Sequence, residues 1–321
     1  MDQVAGDWTR RPERSNMLAL RFMCWIALTF GRRVTRWLLP PVCAYFMVFA
    51  PSSRRHVRRY LGRAIGPGAG WTDAYRLFHT FASTLLDRVY LLRGRLDLFD
   101  VRVAGHPPVE AEAVAGNGAF LIGAHFGSFE ALGACRQQSA DQEALRVAML
   151  MFTSNARRIA AVLDAISVPA MRPHVIALGQ PQSMLALRDW LDGGGLGGML
   201  ADRTLPADDA ASVPAPREHR GGTVMLPFLG RTAAFNDGPF RLAALLRRKV
   251  FFMAGVHRGG ARYDVTFEPL ADFSERVKDP AERERRIRAA IEGYVARLES
   301  LCRAHPYNWF NFHDFWLEDA A

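Results

Sequence analysis

The sequence has little of several features that define common classes of protein. Its 321 residues include only four cysteines, none in a C-x-x-C pair and none spaced with histidines as zinc ligands. Neither a disulfide framework nor a metal site is therefore indicated, and a reducing compartment fits this composition. No G-x-S-x-G elbow occurs, which argues against a serine hydrolase. Lysine is present only at Lys249 and Lys278, so arginine carries nearly all the basic charge.

The sequence also lacks an apolar run long enough for an ordinary transmembrane helix. Two shorter runs lie at 17–30, which contains Arg21, and at 37–50, which contains a Pro-Pro pair. Each is shorter than the roughly 20 apolar residues that a spanning helix needs. The runs favour an in-plane or re-entrant membrane anchor, although two core helices packed under the domain would give the same pattern. No ordinary signal peptide is visible.

The positive charge of the chain is concentrated near its N-terminus. Residues 1–65 contain twelve arginines and three acidic residues, and this excess of nine equals the formal net charge of +9 for the whole chain. Large apolar residues are interleaved with these arginines, which suits an anionic membrane surface better than a nucleic acid groove. We therefore predict a basic amphipathic, membrane-anchoring segment over 1–65 and an α/β domain over 66–321.

The rest of the chain alternates between strand-like and helix-like patterns. The predicted strands are 99–103, 119–124, 146–151, 174–178, 198–201, 223–228, 249–256 and 262–268. The predicted helices are 72–93, a helix after the second strand running toward Gln137, 155–166, 181–192 and a long helix that begins at Asp279 and Pro280. This order predicts an α/β fold with a mostly buried central sheet flanked by helices. The stretch 204–222, rich in Pro, Ala, Asp and Gly, is predicted to be a mobile loop.

The segment HFGSFE, from His125 to Glu130, carries the residues best suited to chemistry. It follows the buried strand 119–124, and a strand-to-helix turn would let Glu130 reach back to His125. A carboxylate on one imidazole nitrogen fixes the tautomer and leaves the other nitrogen to take a proton from an attacking hydroxyl. Gly127 allows a substrate to approach the backbone closely. The H-x4-E pattern alone is weak, and its alternative is a histidine that merely caps a helix.

This segment resembles the H-x4-D/E motif of the lysophospholipid acyltransferase superfamily, and in particular the late acyltransferases of bacterial lipid A biosynthesis. Further similar blocks follow in the same order at 199–203, 226–233, 238–239, 250–258 and 306–316. The similarity extends over about residues 15–316. Asp202 and Arg203 stand where those enzymes more often have Asp-Gln, and the C-terminal block does not end in basic residues. These departures concern the acceptor more than the chemistry.

The resemblance implies an O-acyltransferase that moves a fatty acyl chain to a hydroxyl of a lipid or glycolipid. The donor would be a thioester of acyl carrier protein or coenzyme A, with no further cofactor, and His125 would act as general base oriented by Glu130. The resemblance also implies a location at the cytoplasmic face of the bacterial inner membrane. Two alternatives stay open: a thioesterase that uses the same pair with water, and a non-catalytic lipid-binding membrane protein. Nucleic acid is not an expected partner.

Three arginines are further candidates for substrate binding. Arg203, Arg231 and Arg258 would bind a phosphate or the thioester oxyanion, because the planar fork of a guanidinium suits both groups. Asp202, at a strand end, would orient such an arginine. Structural ion pairs are an equally good interpretation of each arginine. The glycine-rich stretch 193–198 lacks a following Lys-Ser or Lys-Thr, so it is predicted to be a flexible turn and not a phosphate-binding loop.

Overall fold

The computed structural model describes residues 17–133, 145–152, 167, 174–203 and 222–316. Its strands are β1 (Asp100–Ala104), β2 (Ala119–Gly123), β3 (Val147–Phe152), β4 (His174–Leu178), β5 (Leu196–Leu200), β6 (Thr223–Phe228), β7 (Arg231–Asn236), β8 (Lys249–His257) and β9 (Arg262–Asp272). Its helices are α1 (Met17–Arg36), α2 (Leu39–Phe49), α3 (Pro51–Ala64), α4 (Trp71–Leu91), α5 (Pro107–Val114), α6 (Pro181–Asp192), α7 (Gly238–Leu246) and α8 (Pro280–Ala304).

Seven of these strands form one sheet with the order β1-β9-β8-β2-β5-β3-β4. β8, β2, β5, β3 and β4 run parallel, while β9 is antiparallel to β8 and β1 is parallel to β9. β2 is buried along its whole length, and β8 is buried at every residue except Lys249. Such continuous burial is expected where helices cover both faces of a parallel sheet. The predicted α/β class, with a buried central sheet flanked by helices, is confirmed.

Each predicted strand is present within a few residues, and one local prediction is partly wrong. The strand 223–228 is present as predicted; it pairs with β7, which was not predicted, in a hairpin separate from the main sheet. The glycine-rich stretch is a turn only at its start, because Gly197 and Gly198 lie within β5. A Cβ on Gly197 would lie 2.9 Å from the side chain of Leu150, so the glycines let the neighbouring strands and side chains pack closely.

Some predictions fall partly or wholly outside the described residues. The helix expected after β2 begins, in the structure, as a short 3-10 turn at Glu130–Leu132, and 134–144 are not described. The predicted helix 155–166 and nearly all of the loop 204–222 also lie outside the described ranges.

The N-terminal helices share a hydrophobic core with the sheet. Val57, Tyr60 and Leu61 of α3 are completely buried, in the same cluster as Phe120 of β2. Burying an apolar side chain of this size stabilises the fold by about 1.5–3 kcal/mol. The core therefore continues across residue 65, where the sequence predicted a boundary.

A buried ion pair fixes α1 against α4. Arg32 contacts Asp87 through Nε at 2.7 Å and through Nη2 at 2.9 Å, and the hydroxyl of Tyr263 donates to Asp87 at 2.8 Å. Asp87 is fully buried. Removing one partner of such a pair costs about 3–5 kcal/mol, because it leaves an uncompensated buried charge. α1 is therefore held in a defined position on the domain.

Helices α1 and α2, and the turn that joins them, expose many large apolar side chains. We call this set the apolar N-terminal face; its members, each more than a third exposed, are Trp25, Leu28, Phe30, Val34, Trp37, Leu38, Tyr45, Phe46, Val48 and Phe49. Trp37 is 83% exposed. Exposed apolar surface of this kind is typical of sites that contact a membrane or another protein. None of the described helices is long and apolar enough to cross a membrane.

Candidate active site

Two loops meet at the carboxyl ends of adjacent parallel strands. His125 lies two residues after β2, and Asp202 lies two residues after β5. The register pairs Gly123 with Leu200, and the N–H of Ala201 donates to the carbonyl of Gly123 at 3.0 Å. The two chains therefore leave the sheet side by side. Ligands of open α/β sheets bind in the crevice outside such strand ends.

Asp202 holds His125 by two hydrogen bonds. Nδ1 of His125 lies 2.8 Å from Oδ1 of Asp202, and the backbone N–H of His125 donates to Oδ2 at 3.0 Å. Because an ionised carboxylate only accepts, Nδ1 carries the proton and Nε2 keeps its lone pair. Among the described residues no hydrogen-bond partner contacts Nε2. The His125 side chain is 32% exposed and that of Asp202 only 3%, so a substrate can reach the imidazole but not the carboxylate.

The electrostatics favour a neutral imidazole beside an ionised carboxylate. Burial, and then the positive charge of Arg203, lower the pKa of His125 below its ordinary value, while Asp202 opposes this shift. Burial alone would raise the pKa of Asp202, but the adjacent His125 and Arg203 hold the pKa of that carboxyl well below its usual range. At neutral pH the histidine is therefore in the form that accepts a proton.

Glu130 contacts other groups. Its Oε2 accepts a hydrogen bond from Oγ of Ser128 at 3.0 Å, and its Oε1 lies 2.7 Å from Nε of Arg88. The prediction that Glu130 orients His125 is therefore wrong. The turn after β2 directs this carboxylate toward α4, and Nδ1 is occupied by a carboxylate from the neighbouring strand end. Glu130 instead ties the loop to α4.

Gly127 lets the loop pack against β8. Its φ is 60°, and a Cβ there would overlap the carbonyl oxygen of Gly255. Only glycine combines this backbone conformation with such a close approach. The close approach that the structure shows is thus to β8, and a substrate contact at Gly127 stays a prediction.

The backbone N–H groups of residues 125–128 are already bonded. Their acceptors, in order, are the Asp202 side chain and the carbonyls of Ala124, Asn308 and Gly255. A tetrahedral oxyanion at this site would therefore need another donor. Arg203 is the predicted arginine that the structure brings to the pair: it follows Asp202 in the chain, and its charge acts on the pKa of both members.

The other two predicted arginines lie elsewhere. Arg231 is exposed at the turn of the β6–β7 hairpin, opposite Phe228. Arg258 follows β8, where its Nε lies 3.3 Å from Oδ2 of Asp264 and its Nη1 lies 3.0 Å from the ring nitrogens of His305. The ion-pair interpretation therefore describes Arg258. Of the three arginines, Arg203 is the one whose charge acts on His125 and Asp202, and its contact with a substrate stays a prediction.

The C-terminal block supplies residues that the sequence did not identify as part of the site. The indole N–H of Trp309 donates to Oδ2 of Asp202 at 2.9 Å. His313 also lies within the electrostatic reach of the pair, and burial, then Arg203, lower its pKa to about 4, so it is neutral. The one signal for these residues was the similarity of 306–316 to a family block.

Among the described residues, no group of three or more His, Cys, Asp or Glu side chains is arranged to hold a metal ion.

The chain matches no protein-family model, and no curated protein matches it. Its likeness to the lysophospholipid acyltransferases therefore stays a prediction, supported by the motifs named above.

Proposed function

We propose that this protein is an O-acyltransferase that transfers a fatty acyl chain from an acyl thioester to a hydroxyl of a lipid or glycolipid. The observation that carries the proposal is the pairing of His125 Nδ1 with Asp202, which leaves Nε2 as a partly exposed base. A neutral imidazole held in this way is suited to remove the proton of an alcohol. The lowered pKa of His125 keeps that form populated at neutral pH.

In the proposed reaction, Nε2 of His125 takes the hydroxyl proton as the acceptor oxygen attacks the thioester carbonyl. Asp202 stabilises the imidazolium that forms. The carbonyl oxygen becomes an oxyanion, to which Arg203 is the proposed donor. When this intermediate collapses, the C–S bond breaks and the imidazolium returns its proton to the thiolate, so the products are an ester and a free thiol. Acyl carrier protein or coenzyme A would carry the thioester.

We also propose that the apolar N-terminal face rests on a membrane surface. Exposed arginines occur on the same helices or the next one: Arg33 lies on α1, and Arg55 and Arg58 lie on α3. An apolar surface accompanied by arginines suits the interface of an anionic bilayer. Contact in the plane of the membrane would bring the site to its lipid acceptor. The family resemblance implies that this membrane is the bacterial inner membrane and that the protein binds its cytoplasmic face.

The experiment that tests the function compares acyl transfer by purified wild-type and His125→Ala protein. The donor is a thioester with a labelled acyl group, and the acceptor pool is a vesicle preparation of extracted bacterial lipids. General-base catalysis contributes about 10²- to 10⁴-fold, so His125→Ala should lower the rate by that order. His174→Ala is the matched control, because His174 stacks on Trp190 at the far edge of the sheet.

Each alternative function has its own outcome in this assay. Free fatty acid as the dominant product in the presence of acceptor would indicate a thioesterase. No turnover of the thioester by folded wild-type protein, with or without acceptor, would indicate a non-catalytic lipid-binding protein. Wild-type transfer by a His125→Ala protein with an unchanged circular dichroism spectrum would contradict the proposed mechanism.

A further inference from the structure

Residues 308–310 brace the loop that carries His125. They pair antiparallel with 125–127: the N–H of Phe310 donates to the carbonyl of His125, and the N–H of Gly127 donates to the carbonyl of Asn308, both at 2.8 Å. The Asn308 side chain also contacts His257: its Oδ1 accepts from the backbone N–H of His257 at 2.8 Å, and its Nδ2 donates to the carbonyl of His257 at 3.1 Å. This short segment therefore joins the loop to the end of β8.

Trp309 lies at the centre of this segment and is completely buried. Its ring packs edge-to-face on Tyr60, Phe228 and Phe315, with centroid distances of 4.9, 5.3 and 4.9 Å. These contacts come from α3, β6 and the C-terminal segment, and a close-packed aromatic cluster of this kind leaves the indole a single orientation. The direction of its N–H, toward Oδ2 of Asp202, is thereby fixed.

We propose that Trp309 is a positioning residue that sets the strength of His125 as a base, by holding Asp202 through its indole N–H. This inference rests on the proposed function, because it assigns a role within the same pair. Asp202 accepts three hydrogen bonds: from the imidazole, from the backbone of His125 and from the indole. Oδ2 accepts from both the backbone N–H of His125 and the indole N–H, and Oδ1 faces the imidazole. The indole therefore fixes the plane of the carboxylate.

The indole N–H and the imidazole both donate to the carboxylate of Asp202, so the indole bond lowers the negative charge that the imidazole experiences. A donor on a carboxylate stabilises its ionised form and weakens the attraction that the carboxylate exerts on a neighbouring imidazolium. The contribution of Trp309 to lowering the pKa of Asp202 agrees with this. Loss of the N–H should therefore raise the pKa of His125, which a residue with a packing role alone would not do.

The test is an NMR titration of the His125 imidazole in the full chain, compared with the acid limb of the rate of acyl transfer. In Trp309→Phe we expect the pKa of His125 to rise by up to about one unit, because hydrogen bonds to charged groups contribute about 1.5–3 kcal/mol. The acid limb should move to higher pH by the same amount. The matched control is Trp316→Phe, since Trp316 belongs to the same cluster but its indole N–H donates to the carbonyl of Phe228.

A second variant tests the same hydrogen bond in case Trp309→Phe does not fold. Replacing the indole at 309 by benzothiophene keeps the shape of the ring and removes only the N–H. An unchanged pKa of His125 in a folded variant at 309, or an equal shift in Trp316→Phe, would overturn the proposal. The titration does not require turnover, so its result is independent of whether His125→Ala abolishes transfer. Failure of the positioning role and failure of the acyltransferase proposal are thus distinguishable.

Discussion

The carboxylate of Asp202 holds both the ring and the backbone N–H of His125, although 77 positions separate the two residues in the chain. The two bonds fix the position of the histidine and the plane of its imidazole together. They form because β2 and β5 are neighbours in the sheet, so the loops that follow them start from adjacent points.

The first prediction is that Asp202→Asn removes most of the activity. The amide keeps the shape of the side chain but carries no charge to stabilise the imidazolium, and its NH₂ group favours the wrong tautomer of His125. We expect kcat for acyl transfer to fall by about 10²- to 10⁴-fold with little change in KM. The measurement is steady-state transfer, and a kcat within about twofold of the wild type would contradict the pairing.

The second prediction is that Glu130→Gln is much milder than Asp202→Asn. The amide still accepts from Ser128 and loses only the charged part of the contact with Arg88, whose side chain is 40% exposed. A partly exposed ion pair contributes up to about 1 kcal/mol, so we expect a small fall in thermal stability and less than about a tenfold loss of transfer. Equal losses of kcat in the two variants would contradict the assignment of the orienting role to Asp202.

The third prediction concerns the pH dependence. Transfer requires the neutral form of His125, so kcat/KM should rise with pH through an inflection below about 6.5 and be flat above it. Arg203 contributes to this lowered pKa. In Arg203→Gln the inflection should therefore move to higher pH, because a positive charge that opposes the imidazolium is gone. A pH profile that falls between about pH 5 and 7 as the pH rises would contradict the role of a base.

The local patterns of the sequence predicted most elements, whereas the pairing of the site residues depended on non-local structure. α8 begins where an acidic cap and a proline predict it, and Asp279 accepts a hydrogen bond from the N–H of Ala281 at 3.0 Å. The partner of His125 could not be predicted in this way, because it depends on which strands are neighbours. One signal was present: Asp202, like His125, directly follows a predicted strand. Spacing within one short motif led instead to Glu130.

The fourth prediction separates the three arginines. Arg203→Lys keeps the charge but loses the planar fork of donors, so we expect a loss of about tenfold or more in kcat. Arg231→Lys and Arg258→Lys are matched controls and should transfer acyl groups at rates close to the wild type, because Arg231 is exposed on the hairpin and Arg258 contacts Asp264. Single-turnover rates with saturating donor provide the measurement. If Arg203→Lys is fully active, the oxyanion is stabilised by another group.

The last prediction concerns the apolar N-terminal face. Deleting residues 1–65 would not test it, because Tyr60 and Leu61 belong to the core and their loss would destabilise the whole domain. Substitution of exposed side chains avoids this problem, and Trp37→Ser combined with Phe49→Ser removes two that are 83% and 67% exposed.

In this double variant we expect at least about tenfold weaker co-sedimentation with anionic vesicles, because burying one large apolar side chain contributes about 1.5–3 kcal/mol. The control is Leu185→Ser combined with Leu245→Ser, which removes side chains that are 62% and 60% exposed on α6 and α7. Transfer to vesicle lipid should fall with binding, while turnover of a soluble short-chain acceptor stays the same. Equal vesicle binding by both double variants would mean that another surface meets the membrane.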